Sequence, residues 1–480
     1  MTALNAARLA DKYGPAIALD LDGACFSFLE LKNLTLAMVK TLQAHHVTQN
    51  RPLMGGVACP EPVALTARAD LNTLLCTLAL FEIGVPPVLA HPAWNDEERQ
   101  RALSLVPVQY QWCSGCPMGI RDYNPTHETQ RAPEKEDIAA LMFTSGSSDV
   151  QKVVMLSHRA LEASAEASLR AVPLGRGDRW LLNLPLAHVA GLMVWVRCLL
   201  AGATTVIRTH SQETIPQLVR SASITHLSVV PSQLSQWLTE ERDPVPTLKR
   251  VLVGGAPCAP ERLTDARQLG IPALATYGMT ETCSQVATQM LADEADRPPR
   301  AIPGTELRIR DGVIEVCSDT LFSGYYTAGG NRPEAPDGNS ASPAPDKPPI
   351  TNEWFRTSDL GALSSDERLQ VLGRSSDLII SGGENVHPLE VETILSEFPG
   401  IQEAVVFGVE DEKWGEVVAV ALVAKDLDLK AFVEFCAQRL AKFRRPRRYA
   451  LLDELPRTAI GKISRAQAHE LSLSRLHPLG

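Results

Sequence analysis

Four short stretches of the chain combine small residues, hydroxyls, carboxylates and lysine in ways that suit phosphate chemistry. The first, Thr144-Ser-Gly-Ser-Ser-Asp-Val-Gln-Lys152, sets Thr144, Ser145, Gly146, Ser147 and Ser148 ahead of Lys152. Small residues let successive backbone N–H groups turn toward a phosphate chain, and hydroxyls and a lysine add donors and charge. The stretch does not fit G-x-x-x-x-G-K-[ST], which argues against a Walker-type hydrolase; alone, it also reads as a polar surface loop. The second, Thr276-Tyr-Gly-Met-Thr-Glu281, groups an aromatic ring, hydroxyls and a carboxylate around Gly278. Tyr277 could stack on a base and Thr280 could bond a phosphate or a substrate carboxylate. Glu281 could ligate Mg²⁺, which uses one or two carboxylates plus phosphate oxygens. A helix cap is the plainer reading of the same residues.

The third group is Asp359, in Trp354-Phe-Arg-Thr-Ser-Asp-Leu-Gly361, and Arg374, in Gly373-Arg-Ser-Ser-Asp377. A carboxylate accepting from two hydroxyls beside a donating guanidinium suits a ribose. Asp377 to Glu384 then reads as a strand turning at Gly382-Gly383, where a backbone without side chains can pass close to a thin ligand such as a pantetheine arm; a plain hairpin is the alternative. The fourth is Lys462 in Pro456-Arg-Thr-Ala-Ile-Gly-Lys-Ile-Ser-Arg465. A lysine after glycine on a tail can swing onto charge developing between a carboxylate and an α-phosphate, and such charge stabilisation is the main catalytic term in phosphoryl chemistry.

The elements that must hold these residues are short apolar runs alternating with helical stretches. Ile138–Phe143 is a strand candidate feeding the first motif, and similar runs recur at Trp180–Asn183, Thr204–Ile207, His226–Val230 and Arg250–Val253. Glu162–Arg170 and Thr214–Ser221 read as helices between them, and Leu71–Leu89 as a buried helix passing through Gly84 into a strand. The alternation predicts α/β layers with substantially parallel sheets. Residues 327–351, rich in Pro, Gly, Ala, Ser and Asp, read as an exposed loop. Beyond it, strands near Ala404–Val409 and Val417–Val423 and a helix over Leu429–Leu440 describe a small α+β unit.

At 480 residues the chain is too long for one ordinary core. Apolar residues at 45% and charged residues at 21% describe a soluble globular protein, and no window is long and apolar enough to cross a bilayer, so a cytoplasmic location is expected. A formal charge of −10 with 5% aromatics argues against nucleic acid, leaving Arg444-Arg-Pro-Arg-Arg448 as a solvated face or a contact for the phosphates of a CoA-sized ligand. The cysteines Cys76, Cys198, Cys317 and Cys436 read as buried thiols of a reducing compartment, and Cys113-Ser-Gly-Cys116 lacks a second ligand pair for zinc.

The four motifs in this order resemble the adenylate-forming superfamily of acyl- and aryl-CoA synthetases, luciferases and peptide-synthetase adenylation domains, from about Phe26 to the C-terminus. The resemblance implies an α/β fold. A large domain of packed α/β subdomains spans residues 1–373, and a small mobile α+β domain spans 374–480, hinged near Ser376. It implies Lys462 as the adenylation lysine, Glu281 as the Mg²⁺ ligand beside Thr280, Asp359 and Arg374 on the ribose, and Gly254-Gly255-Ala256-Pro257 bordering the adenine. Thr276, Tyr277 and Gly278 join the phosphate loop on the nucleotide, and Gly382-Gly383 lie toward CoA. Within the superfamily, Leu184-Pro-Leu-Ala-His-Val-Ala-Gly191 with Trp195-Val-Arg197, Ser228–Gln233, Tyr277–Gln285 and Ile379–Asn385 resemble the o-succinylbenzoate–CoA ligases of menaquinone biosynthesis. That implies His188, Arg197 and Ser284 around the acid, with Arg197 facing its second carboxylate, because a buried dianion needs a paired cation.

The chain departs from the family in Ser148-Asp-Val-Gln-Lys152, where Thr-Gly-x-Pro-Lys is usual, at Ser358, where glycine is usual, and at Ala190, where serine is frequent. Asp149 brings negative charge toward a pyrophosphate. Two alternatives therefore stay open: another aryl- or fatty-acyl–CoA ligase, and a nucleotide-binding homologue with impaired catalysis. The expected partners are a small carboxylic acid, ATP and CoA, with no nucleic acid and no membrane insertion; self-association is left open.

Overall fold

A computed structural model of the chain describes residues 2–45, 47, 53–54, 57–58, 60–108, 110–113, 116–119, 132–144, 152–209, 211–240, 243, 245–326, 354–457 and 463–479. The predicted loop 327–351 lies outside the described residues, as do Ser145 to Gln151 and Lys462.

Two large sheets carry the N-terminal part. The first has nine strands, ordered Arg300–Ala301, Ser284–Thr288, Ala273–Met279, Arg250–Val253, His226–Val229, Arg179–Leu181, Thr204–Ile207, Ile17–Leu21 and Ala24–Ser27. From Ala273–Met279 to Ile17–Leu21 every pair is parallel. The second has seven strands and places Ile138–Thr144 between Lys152–Ser157 and Pro87–Ala90. Strand Ile138–Thr144 is buried along all but its last residue, as a near-continuous apolar run requires.

The helices Leu71–Ile83, His158–Ala171 and Val189–Ala201 join residues of both sheets in one core cluster. Leu71–Ile83 starts where the Asp70 side chain accepts from the Thr73 N–H at 2.8 Å and stops at Gly84, whose φ of 66° is left-handed. An all-round apolar helix belongs between two layers, and the sequence placed this one correctly.

A four-stranded antiparallel sheet, Thr305–Arg310, Val313–Ser318, Phe355–Leu363 and Leu369–Arg374, follows. It is absent from the sequence reading, because its partly exposed strands carry no continuous apolar run and the stretch 327–351 interrupts them. Cys317 corrects the reading as a buried thiol: it alternates with the buried Val316 on one strand and is only half-buried. Cys76, Cys198 and Cys436 are buried as expected.

From Ile379 onward the chain builds its own sheet, in which Ile401–Asp411 and Gly415–Ala424 pair over ten register positions, with the helix Leu429–Arg439 in the same core. The Arg444–Arg448 cluster is largely spent within this part. Arg444 pairs with Glu390 at 3.0 Å, Arg445 donates to the Leu440 carbonyl at 2.9 Å, and Arg447 lies 4.4 Å from the Trp414 ring centroid.

Candidate active site

In a parallel sheet, ligands meet the loops at the carboxyl ends of the strands, where the strand order reverses. Here the order reverses at Arg179–Leu181, which has Thr204–Ile207 on one side and His226–Val229 on the other. Four of the singled-out stretches lie at or just beyond such strand ends: Leu184 to Gly191, Ser228 to Gln233, Gly254 to Pro257 and Thr276 to Glu281. Topology thus gathers Gly255, Ala256 and Pro257 beside Thr276, whose Oγ1 donates to the Val253 carbonyl at 3.3 Å.

Strand Ala273–Met279 turns back as Ser284–Thr288 through a 3-10 turn, Thr280–Thr282. The turn is tight enough to require Gly278, since a Cβ there would stand 2.0 Å from the Ser284 carbonyl oxygen. Thr282 Oγ1 donates to that same oxygen at 2.8 Å. Ser284 has a φ of 94°, a left-handed value that a residue with a side chain adopts only when its surroundings impose it. The strain sits where the Ser284 Oγ accepts from Arg197 Nη2 at 2.9 Å.

Arg197 stands on the apolar helix Val189–Ala201, 2% exposed, with its guanidinium carbon 5.6 Å from the Trp180 ring centroid. Burial pulls its ionisation down to about 10, and it still carries its charge at neutral pH. His188 caps the same helix, its ring 5.2 Å from that of His91. His91 is a residue the sequence reading missed. It is buried directly after strand Pro87–Ala90, takes the Ala93 N–H on Nδ1 at 3.2 Å, and burial lowers its pKa. Its signal was positional: a histidine at the carboxyl end of a parallel strand.

Asp359 and Arg374 face each other across the antiparallel strands Phe355–Leu363 and Leu369–Arg374, with Asp359 Oδ1 3.8 Å from Arg374 Nε. The Tyr277 hydroxyl donates to Asp359 Oδ2 at 2.8 Å. Burial first, and the Asp359 carboxylate second, push the phenol well above its ordinary value, so it stays a donor. Tyr277, expected only as a stacking ring, therefore also ties the first large sheet to this carboxylate. Ser358 is exposed, with its carbonyl accepting from Ser375 Oγ at 3.1 Å.

Glu281 lies in the 3-10 turn, its Oε1 accepting from the Tyr325 hydroxyl at 2.8 Å, and Lys152 Nζ sits 4.9 Å from the centroid of that same ring. Among the described residues no three His, Cys, Asp or Glu side chains converge as a metal site. A single carboxylate with one oxygen engaged, beside hydroxyls and a lysine, is a poor zinc site. It fits a hard divalent cation whose other ligands are phosphate oxygens and water.

Further along, the hairpin Ile379–Ser381 and Glu384–Val386 turns at Gly382-Gly383 as predicted. Gly382 lies under Trp414, and a Cβ there would stand 2.6 Å from that ring. The tail after Lys462 is fixed by Arg465, which bonds Asp377 Oδ2 at 3.1 Å, the Glu392 carboxylate and the Val406 carbonyl.

These residues make up the described part of the candidate site, and comparison with known proteins gives the family of the chain. Residues 106–326 match the family model "AMP-binding enzyme" and residues 390–462 match "AMP-binding enzyme C-terminal domain". The chain belongs to the AMP-binding enzyme family. It is 33% identical over 489 residues to the 2-succinylbenzoate–CoA ligase of Bacillus subtilis (strain 168), covering 94% of each chain. It is also similar to the solved o-succinylbenzoate CoA synthetase (MenE) of Bacillus subtilis in complex with the acyl-adenylate OSB-AMP, with a TM-score of 0.82 at 27% identity over 97% of this chain and 98% of that one. The same B. subtilis enzyme in complex with ATP and magnesium ion gives a TM-score of 0.82 at 27% identity, over 98% and 99%. Among the described residues no helix is long and apolar enough to cross a membrane.

Proposed function

We propose that this chain is a 2-succinylbenzoate–CoA ligase that activates its acid as the acyl-adenylate and transfers the acyl group to the CoA thiol. The observation that carries the acid is Arg197: a buried guanidinium whose only hydrogen bond to a described residue goes to the strained Ser284. A monocarboxylate needs no such cation, whereas a buried second carboxylate does.

In the first step the acid's carboxylate oxygen attacks the α-phosphorus of ATP, forming acyl-AMP and expelling pyrophosphate. Asp359, oriented by Tyr277 and Arg374, accepts from the ribose hydroxyls. Lys152 meets the phosphate chain, with Thr144, Ser145, Gly146, Ser147 and Ser148 as its loop, and Lys462 neutralises charge at the α-phosphate. Glu281 holds Mg²⁺, which when bound supplies further neutralisation of the triphosphate. His188 and Arg197 line the acid pocket. In the second step the small domain, residues 374–480, turns about Ser376 and brings Gly382-Gly383 to the CoA channel, where the thiolate sulfur attacks the acyl carbonyl and AMP leaves.

The test is pyrophosphate release and thioester formation with MgATP, CoA and a panel of carboxylic acids. Turnover confined to 2-succinylbenzoate is expected. Turnover with monocarboxylic acids alone would overturn the acid, and ATP binding without release would favour the impaired homologue that Asp149 suggests. The ribose role has its own check. Asp359→Asn should raise the KM for ATP about 10- to 100-fold, the loss of a charged hydrogen bond or two. It should also erase most of the parent's preference for ATP over 2′-deoxy-ATP; a preference that survives removes Asp359 from the ribose.

A further inference from the structure

The ring of Tyr325 touches two side chains of the nucleotide machinery, Glu281 and Lys152. Its hydroxyl donates to Glu281 Oε1 at 2.8 Å, and its face carries the Lys152 ammonium at 4.9 Å from the centroid. The backbone fixes both contacts. Strand Gly324–Tyr326 pairs with Lys152–Ser157, setting Tyr325 opposite Val154, and the Phe322 N–H donates to the Glu281 carbonyl at 2.9 Å. Phe322 also packs edge-on against the Tyr325 ring, with centroids 4.9 Å apart. Strand, ring and carboxylate thus close a small circuit, and among the described residues Glu281 Oε2 has no hydrogen-bond partner.

A carboxylate held through one oxygen by a neutral donor keeps the other for a cation, and losing a donor of this outer kind costs about 10- to 100-fold in metal affinity. A lysine over an aromatic face is held by electrostatic attraction without being neutralised, so it stays available to phosphate. We propose that Tyr325 is a positioning residue for the metal–nucleotide pair: its hydroxyl orients Glu281 toward the cation, and its ring face holds Lys152 for the phosphates. This rests on the reading of Glu281 as the metal carboxylate.

The measurement is Mn²⁺ binding, followed by the EPR signal of the free ion, with full-length protein and α,β-methylene-ATP, whose α–β bridge cannot be cleaved, so that it cannot donate its adenylyl group. Tyr325→Phe keeps the ring and its packing on Phe322 and removes only the hydroxyl. It should weaken Mn²⁺ by about tenfold while nucleotide affinity in EDTA stays unchanged. Tyr325→Leu removes the ring as well and should weaken both. Unchanged Mn²⁺ affinity in Tyr325→Phe overturns the hydroxyl's role, and unchanged metal-free nucleotide affinity in Tyr325→Leu overturns the ring's. Glu281→Gln in the same assay separates the underlying reading. If Glu281→Gln binds Mn²⁺ as the parent does, the metal carboxylate itself is wrong; if it loses Mn²⁺ while Tyr325→Phe does not, only the Tyr325 assignment falls.

Discussion

Replacing Arg197 by methionine is expected to give a protein that melts higher than its parent and has nearly lost the use of 2-succinylbenzoate. Arg197 is 2% exposed, its Nε has no hydrogen-bond partner among the described residues, and its one hydrogen bond goes to a hydroxyl rather than to a carboxylate. A cation taken from water without a counter-charge costs stability. Burial lowers its folded pKa to about 10, below the unfolded value, so the penalty is fully present below pH 10 and is relieved only as the pH rises above that toward the unfolded value. At neutral pH the free protein therefore carries a cost on the order of 3 kcal/mol, which an acid bearing a second carboxylate would remove on binding. Methionine fills similar space without charge, and such exchanges commonly stabilise by about 1–4 kcal/mol. We expect a melting temperature raised by about 2 °C and a KM for 2-succinylbenzoate raised by about 10²- to 10³-fold, as when one partner of a buried charge pair is deleted. The KM for ATP should not move. Differential scanning fluorimetry with and without the acid checks the first half, and steady-state kinetics the second. A lower melting temperature with an unchanged KM would make Arg197 a structural group and return the acid to the wider class of aryl- and fatty-acyl–CoA ligases.

The same helix illustrates what was legible in the sequence. Val189–Ala201 is apolar apart from Arg197, yet Arg197 was singled out through the family resemblance and not through the helix that carries it. The parallel strands were plain, because continuous apolar runs such as that of Arg250–Val253 leave little choice of environment. The motif stretches were readable because phosphate and ribose chemistry needs particular residue types at short spacing. What escaped was whatever depends on contacts between distant segments. Tyr277 reaches Asp359 over 82 residues and Tyr325 reaches Glu281 over 44; neither pairing has a local signature. The strain at Ser284 is likewise invisible in the sequence, since nothing in Glu281-Thr-Cys-Ser284 demands a left-handed backbone until the hairpin and the Arg197 contact impose it. Cys317 was misplaced because a short run around it could not reveal which face of the strand it would occupy.

Lys462→Ala is expected to abolish formation of the acyl-adenylate and to spare thioester formation when acyl-AMP is supplied. The lysine lies outside the described residues, but the chain on either side of it is anchored. Arg457 and Ile463 form an antiparallel bridge, and the Ser464 N–H donates to the Pro456 carbonyl at 2.8 Å. The next residue, Arg465, is bound to Asp377, next to the proposed hinge, and to Glu392. Burial pulls its ionisation down, but the two carboxylates more than offset this and raise it, so the clamp is charged at any working pH. This clamp ties the chain beyond position 462 to Asp377 and Glu392. In one orientation Lys462 would meet the α-phosphate, and in the other it would be withdrawn while Gly382-Gly383 took its place. Deleting one preorganised charge at a reacting phosphate costs about 10²- to 10³-fold in rate, and that loss should fall on the first half-reaction alone. Single-turnover measurements of pyrophosphate release, set against CoA acylation from synthetic acyl-AMP, separate the halves. Equal loss in both would mean that the alanine disturbs the tail or the docking of the small domain, and Lys462 would no longer be the adenylation lysine. Loss confined to the second half would reverse the assignment of the two orientations.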